Sequence, residues 1–294
     1  MPDSIEIHDP AFQQLFPQDA IVERVAGGLA FCEGPVWHDD HLLFSDIWRS
    51  RICRLDPRPE GPELRTFRHP SGNSNGLTFD RQTRLIACEH GTRRVSRTEH
   101  DGSIVALADR FDGKRLNSPN DVVVKSDGAI YFTDPPYGLV NLTEGKELGF
   151  NGVFRIDPDG RLRLLVDDFD RPNGLAFSPD ETILYVDDSP RRHIRAFDVR
   201  PDGDLANSRI FADMQSPDRG SPDGMKLSEE GTIFCTGPGH VWVYRPDGTL
   251  LGRILFPEKP ANLAWGDQDR RTLYVTAGTS VYRIRTNVVG IKVV

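Results

Sequence analysis

The stretch PNGLAFSPDETILYVDD, residues 172–188, reads as a polar residue, a short apolar strand, a turn and a second apolar strand. The same grammar recurs in EGPVWHDDHLLFSDI (33–47), SNGLTFDRQTRLIACEH (74–90), PNDVVVKSDGAIYFTDP (119–135), PDGMKLSEEGTIFCTG (222–237) and ANLAWGDQDRRTLYVTAG (261–278). Six copies with the marker residues Glu33, Asn75, Asn120, Asn173, Asp223 and Asn262 stand 42, 45, 53, 50 and 39 residues apart. That spacing suits propeller blades and not helical repeats. A third strand follows in RICRLD, GVFRID, HIRAFDV and VWVYR. Asp-Gly turns at Asp101, Asp159, Asp202 and Asp247 then lead into a fourth. The expectation is an all-β, six-bladed β-propeller with four antiparallel strands per blade. An open ring would leave unpaired backbone at its edges, so AIVERVA (20–26) is expected to close it by supplying the last blade's outer strand. Residues 21–294 form the single propeller domain in this reading. Residues 1–20 form an N-terminal extension, with a short helix in DPAFQQLF capped by Asp9.

The 294 residues carry a formal net charge of −8 and no basic run, which speaks against nucleic acid as a partner. No apolar stretch reaches the ~20 residues a membrane helix needs. The start MPDSIEIHDP lacks the regions of a signal peptide, so the expected location is cytoplasmic, with a trimmed leader and a periplasmic location the other possibility. Cys32, Cys53, Cys88 and Cys235 have no metal-binding or redox spacing and read as buried thiols. No G-x-S-x-G elbow, phosphate loop or dinucleotide fingerprint is present.

The innermost strand of each blade lines the central channel, so the six markers form a ring of oxygen-bearing side chains around one axis. Such a set without Cys or His suits one hard divalent cation, with calcium expected ahead of magnesium.

The motifs E-G-P-x-W at Glu33, P-N-D at Asn120, P-N-G-L at Asn173 and P-D-G-M at Asp223, in this order and spacing, resemble the regucalcin and gluconolactonase family. The resemblance spans Glu33 to Arg285. It implies a divalent metal bound by Glu33, Asn173 and Asp223, with Asn120 bound directly or through water, and hydrolysis of a lactone or ester. The squid-type fluorophosphatase is similar in having a Glu, two Asn and an Asp around its calcium. Its second, structural calcium uses a last-blade histidine, and no His follows His240 here. The regucalcin branch carries an Arg that contacts the sugar two positions before the blade-three Asn, where this chain has Ser118.

In the resulting mechanism the metal acts as a Lewis acid on the lactone carbonyl and Asp223 as general base, or alternatively as nucleophile. An aryl ester or organophosphate substrate at the same site, and a non-catalytic calcium-binding propeller, are the alternatives. Substrate contacts are expected from Asn120, His90, Trp48 and Tyr137. Asp134 is a further candidate, on the long FTDPPYG insertion. Asp188, Asn75 and Asn262 are expected to support the ligands, and Arg191, Arg192 and His193 to form a solvated edge.

Overall fold

A computed structural model describes residues 4–58 and 60–293. It shows six antiparallel sheets, five of four strands and one of five, arranged as blades around one axis. Blade one comprises Cys32–His38, His41–Asp46, Arg51–Asp56 and Glu63–Arg68, and blade two comprises Ser74–Phe79, Leu85–Glu89, Arg94–Thr98 and Ile104–Ala108. Blade three runs through Val122–Val124, Ile130–Asp134, Gly152–Ile156 and Leu162–Val166, and blade four through Pro172–Phe177, Ile183–Asp188, His193–Val199 and Leu205–Asp213. Blade five contains Met225–Leu227, Ile233–Thr236, His240–Tyr244 and Leu250–Leu255. Blade six contains Pro260–Gly266, Thr272–Ala277 and Ser280–Arg285, and Glu23–Ala26 is its outer strand, pairing Glu23 with Arg283 and Arg24 with Tyr282. The ring is thus closed by the strand that the sequence pattern singles out, which gives the last blade its full set of strands.

The core lies between blades, where the period-two faces of neighbouring sheets meet. Ile86, Cys88, Phe132 and Phe154 pack together between blades two and three, and Leu42, Phe44, Ala264 and Tyr274 between blades six and one. All four cysteines are buried free thiols.

The N-terminal segment is packed into this core. Ile5–Ile7 adds a fifth strand to blade five, with Ile5 opposite Ile254. The turn of 3-10 helix at Pro10–Leu15 begins at Asp9, whose Oδ1 accepts from Ala11 N at 2.8 Å. It delivers Phe12 and Phe16 into the cluster of Phe234, Val241, Trp265 and Leu273 between blades five and six.

Candidate active site

A β-bulge re-aims side chains beside the axis in most inner strands. Register shifts fall between Glu33 and Val36, Ser74 and Leu77, Pro172 and Leu175, and Pro260 and Asn262. In blades three and five the ladder begins only after the marker, and Asn120 N and Asp223 N donate instead to Thr133 O and Thr236 O. The residue after the marker sets how closely the next blade can approach. Gly34 has φ +53, and a Cβ there would lie 1.9 Å from Asn75 O. A Cβ on Gly174 would lie 2.0 Å from Asp223 O. Hydroxyls on the second strands bridge the same seams: Ser45 Oγ donates to Asn75 O at 2.7 Å, Thr133 Oγ1 to Asn173 O at 2.7 Å, and Thr236 Oγ1 to Ala261 O at 2.9 Å.

These devices bring the six markers together around the axis, and hydrogen bonds link neighbouring members. Asn75 Nδ2 donates to Asn120 Oδ1 at 2.5 Å and Asn120 Nδ2 to Asn173 Oδ1. Asn262 Nδ2 donates to Glu33 Oε2 at 3.0 Å, and Asp223 lines the same cleft as Glu33 and Asn173. Glu33, Asn75, Asn120, Asn173 and Asn262 are buried, whereas Asp223 stays partly open.

Burial, and then the facing charges of Asp223 and Asp121, push the Glu33 carboxyl well above its usual range. Burial raises Asp223 to about 6 against the lowering influence of Lys259. Two carboxylates facing one another, one buried and one partly open, are offset by a positive charge between them, and the surrounding carboxamide oxygens are hard donors. The donor set therefore fits a divalent oxygen-seeking cation.

Glu33, Asn75, Asn120, Asn173 and Asp223 form the floor of a cleft of about 310 Å³, at the lower end of the roughly 300–1,000 Å³ typical of ligand pockets. Its walls include Phe31, Trp48, His90, Tyr137, Arg171 and Lys259. Trp48 is 72% exposed and stacks on Phe31 with ring centres 5.2 Å apart. His90 Nε2 lies 3.2 Å from Asn120 Oδ1, and burial lowers its pKa to about 4, so the ring is neutral near pH 7. Tyr137 lines the cleft beside Ser189, and burial pushes its phenol up. A second cavity, of about 160 Å³, opens where the inner strands end and is lined mainly by Val36, Leu77, Phe177, Leu227 and Trp265. It lacks the converging oxygen donors.

The structure places two of the expected residues away from the cleft. Asp188 does not face the ring: its carboxylate accepts from Asp170 N at 2.9 Å and Arg171 N at 3.2 Å. Side chains alternate along a strand, so the neighbouring Asp187 is the one that turns toward Gly174 and feels the Asp223 charge. Burial raises the Asp187 carboxyl well above its usual range. Asp134 likewise stays off the cleft, with Oδ2 accepting from Asn117 N at 2.7 Å. The two belong to a repeated device in which the acid ending a second strand grips the loop that enters the ring. Asp46 does the same with Ala30 N and Phe31 N.

The sequence motifs do not single out Asp121, Asp187, Arg171 or Lys259. Arg171 carries a usable signal, since it stands two positions before Asn173, the offset at which Phe31 and Ser221 also reach the cleft rim. Among the described residues, Asp40, His41 and Asp56 form a separate acidic group on blade one, where Arg54 and Arg65 already neutralise it.

The family model for the SMP-30/Gluconolactonase/LRE-like region matches residues 31–279, which contain every marker. The chain belongs to this family. It is 35% identical to a gluconolactonase of Zymomonas mobilis, over 96% of this chain and 85% of that protein. It is 26% identical to a 6-deoxy-6-sulfogluconolactonase of Pseudomonas putida, over 83% and 82% of the two chains. A solved gluconolactonase structure from Xanthomonas campestris superposes with a TM-score of 0.86 at 37% identity, covering 97% of this chain and 95% of the other.

Proposed function

We propose that this family member is a metal-dependent hydrolase that opens a sugar lactone. The observation that carries the reading is the convergence of Glu33, Asn120, Asn173 and Asp223 on the floor of a monosaccharide-sized cleft, with Asp223 the member open to it. The gluconolactonase relatives support the same choice of substrate.

Glu33, Asn120, Asn173 and Asp223 would hold one divalent cation, calcium by donor type. When bound, that cation supplies Lewis-acid polarisation of the lactone carbonyl. Asp223 takes a proton from the attacking water as the water oxygen bonds to the carbonyl carbon. The ring C–O bond then breaks, and the departing ring oxygen receives that proton, leaving the hydroxy acid. Neutral His90, Tyr137 and Ser189 offer hydrogen bonds to sugar hydroxyls, while Phe31 and Trp48 cover the apolar face of the ring.

Lactone opening by the purified chain, followed by acid release, tests this. Chelation is expected to abolish activity and calcium to restore it. Asp223→Asn is expected to lower kcat by about 10²–10⁴-fold, the contribution of a positioned base. A metal-free Asp223→Asn protein with full activity would remove both assignments.

A further inference from the structure

We propose that the cleft takes a lactone carrying an anionic substituent, held over the blade-five side by Arg171 and Lys259. The inference rests on the lactonase reading for the position of the reacting ring. It adds the chemical class of the substrate's far end: a phosphate, sulfonate or carboxylate.

Arg171 enters blade four and Lys259 enters blade six, so the two flank the Ser221–Asp223 entrance of blade five. Neither is held by a buried acid. The nearest acid to Arg171 is Asp170, at 3.6 Å and half exposed to solvent. Among the described residues no carboxylate lies within ion-pair distance of Lys259. Arginines elsewhere on the blades are commonly clamped: Arg51 meets Asp46 at 2.9 Å, Arg84 meets Asp80 at 2.7 Å, and Arg253 meets Asp218 at 2.9 Å.

Both cationic groups are directed at the cleft. The Arg171 guanidinium lies 5.8 Å from the centre of the Tyr137 ring, and the Lys259 charge is felt at Asp223. Asp188 fixes the Arg171 backbone through its N–H, so the guanidinium projects from an anchored loop. Among the described residues, Glu33 and Asp223 are the acids that line the cleft, and they face each other on its floor. The wall above them therefore presents two positive charges and a neutral His90. A neutral aldonolactone offers neither cation a charged group, whereas an anionic arm would accept charge-assisted hydrogen bonds from both.

The test uses the full chain with calcium and compares 6-phosphogluconolactone with gluconolactone. The expected result is a kcat/KM ratio favouring the phosphorylated lactone by about tenfold or more, shrinking as salt rises. Arg171→Gln and Lys259→Gln should each collapse that ratio, and Arg171→Lys should recover part of it. Calorimetric binding of 6-phosphogluconate, 6-deoxy-6-sulfogluconate, glucarate and gluconate gives a readout that needs no turnover and distinguishes the anion. Equal ratios for the two lactones, unaltered in Arg171→Gln, would overturn the proposal. If neither lactone opens but the anionic acids bind more tightly than gluconate through Arg171, the lactonase reading falls and the anion site stands.

Discussion

Asn262 Nδ2 donates to Glu33 Oε2 at 3.0 Å, joining the last blade to the first directly beneath the cleft floor. The same amide reaches Asp121 Oδ2 of blade three at 3.3 Å, so one side chain orients carboxylates from blades one and three. Asn262→Ala should lower calcium affinity by about 10–100-fold, as expected when a group that orients a ligand is lost. Titration calorimetry alongside an unchanged circular dichroism spectrum would establish it. Unaltered affinity would show that Glu33 is held by other contacts.

Ser118 is fully buried, donating from Oγ to Pro135 O at 2.6 Å and accepting from Gly138 N at 2.8 Å. It ties down the Pro-Pro turn that presents Tyr137. Ser118→Ala strands both backbone groups and should cost about 1–3 kcal/mol in denaturant unfolding. Ser118→Arg, the residue found here in the regucalcin branch, should be worse, because an unpaired charge would enter a buried site. A stable, active arginine variant would show that the loop can swing open.

Burial raises the Asp134 carboxyl to about 7, opposed by hydrogen bonds from the Asn117 and Ser118 backbone. Its pKa is therefore higher folded than unfolded, and the fold prefers the protonated form. The resulting stability is fully present below the ordinary carboxylate pKa of about 3.9 and is lost as pH rises through about 7, by up to about 1.4 kcal/mol per pH unit. Asp134→Asn keeps an oxygen for Asn117 N without the charge. Its melting temperature should exceed the parent's at pH 8 and lose this advantage toward pH 4. Parallel melting curves across that range would contradict the assignment.

Phe12 is completely buried against blade five, and its ring edge lies where a Cβ on Gly252 would fall, 2.6 Å away. Phe12→Ala should destabilise the propeller by about 3–5 kcal/mol. Thermal unfolding with a single transition at lower temperature is the expected record. An unshifted transition would mean that the segment contributes little to the fold.

The blade pattern is legible in the sequence because strand alternation and turn chemistry are local and are repeated six times. The helical cap at Asp9 and the closing strand in residues 20–26 are legible too, one from capping chemistry and the other from a last blade that lacks a partner strand. The fifth strand at Ile5–Ile7 is not, because three residues carry too little periodicity and their pairing partners, Gly252 to Ile254, lie near the other end of the chain. Asp187 and Asp188 are adjacent identical residues, and only the pleat assigns one to the axis and the other to a loop.

Repetition in the chain alone was sufficient for the architecture, the order of blades and the six residues that ring the axis, since a recurring position in a closed ring must face itself. The cleft's cationic rim, the burial that leaves Asp223 partly open, and the anchoring roles of Ser118, Asp134 and Asp188 came from the folded molecule. Those properties depend on which side chains from different blades meet, and distances across a ring are not written in the spacing along a strand.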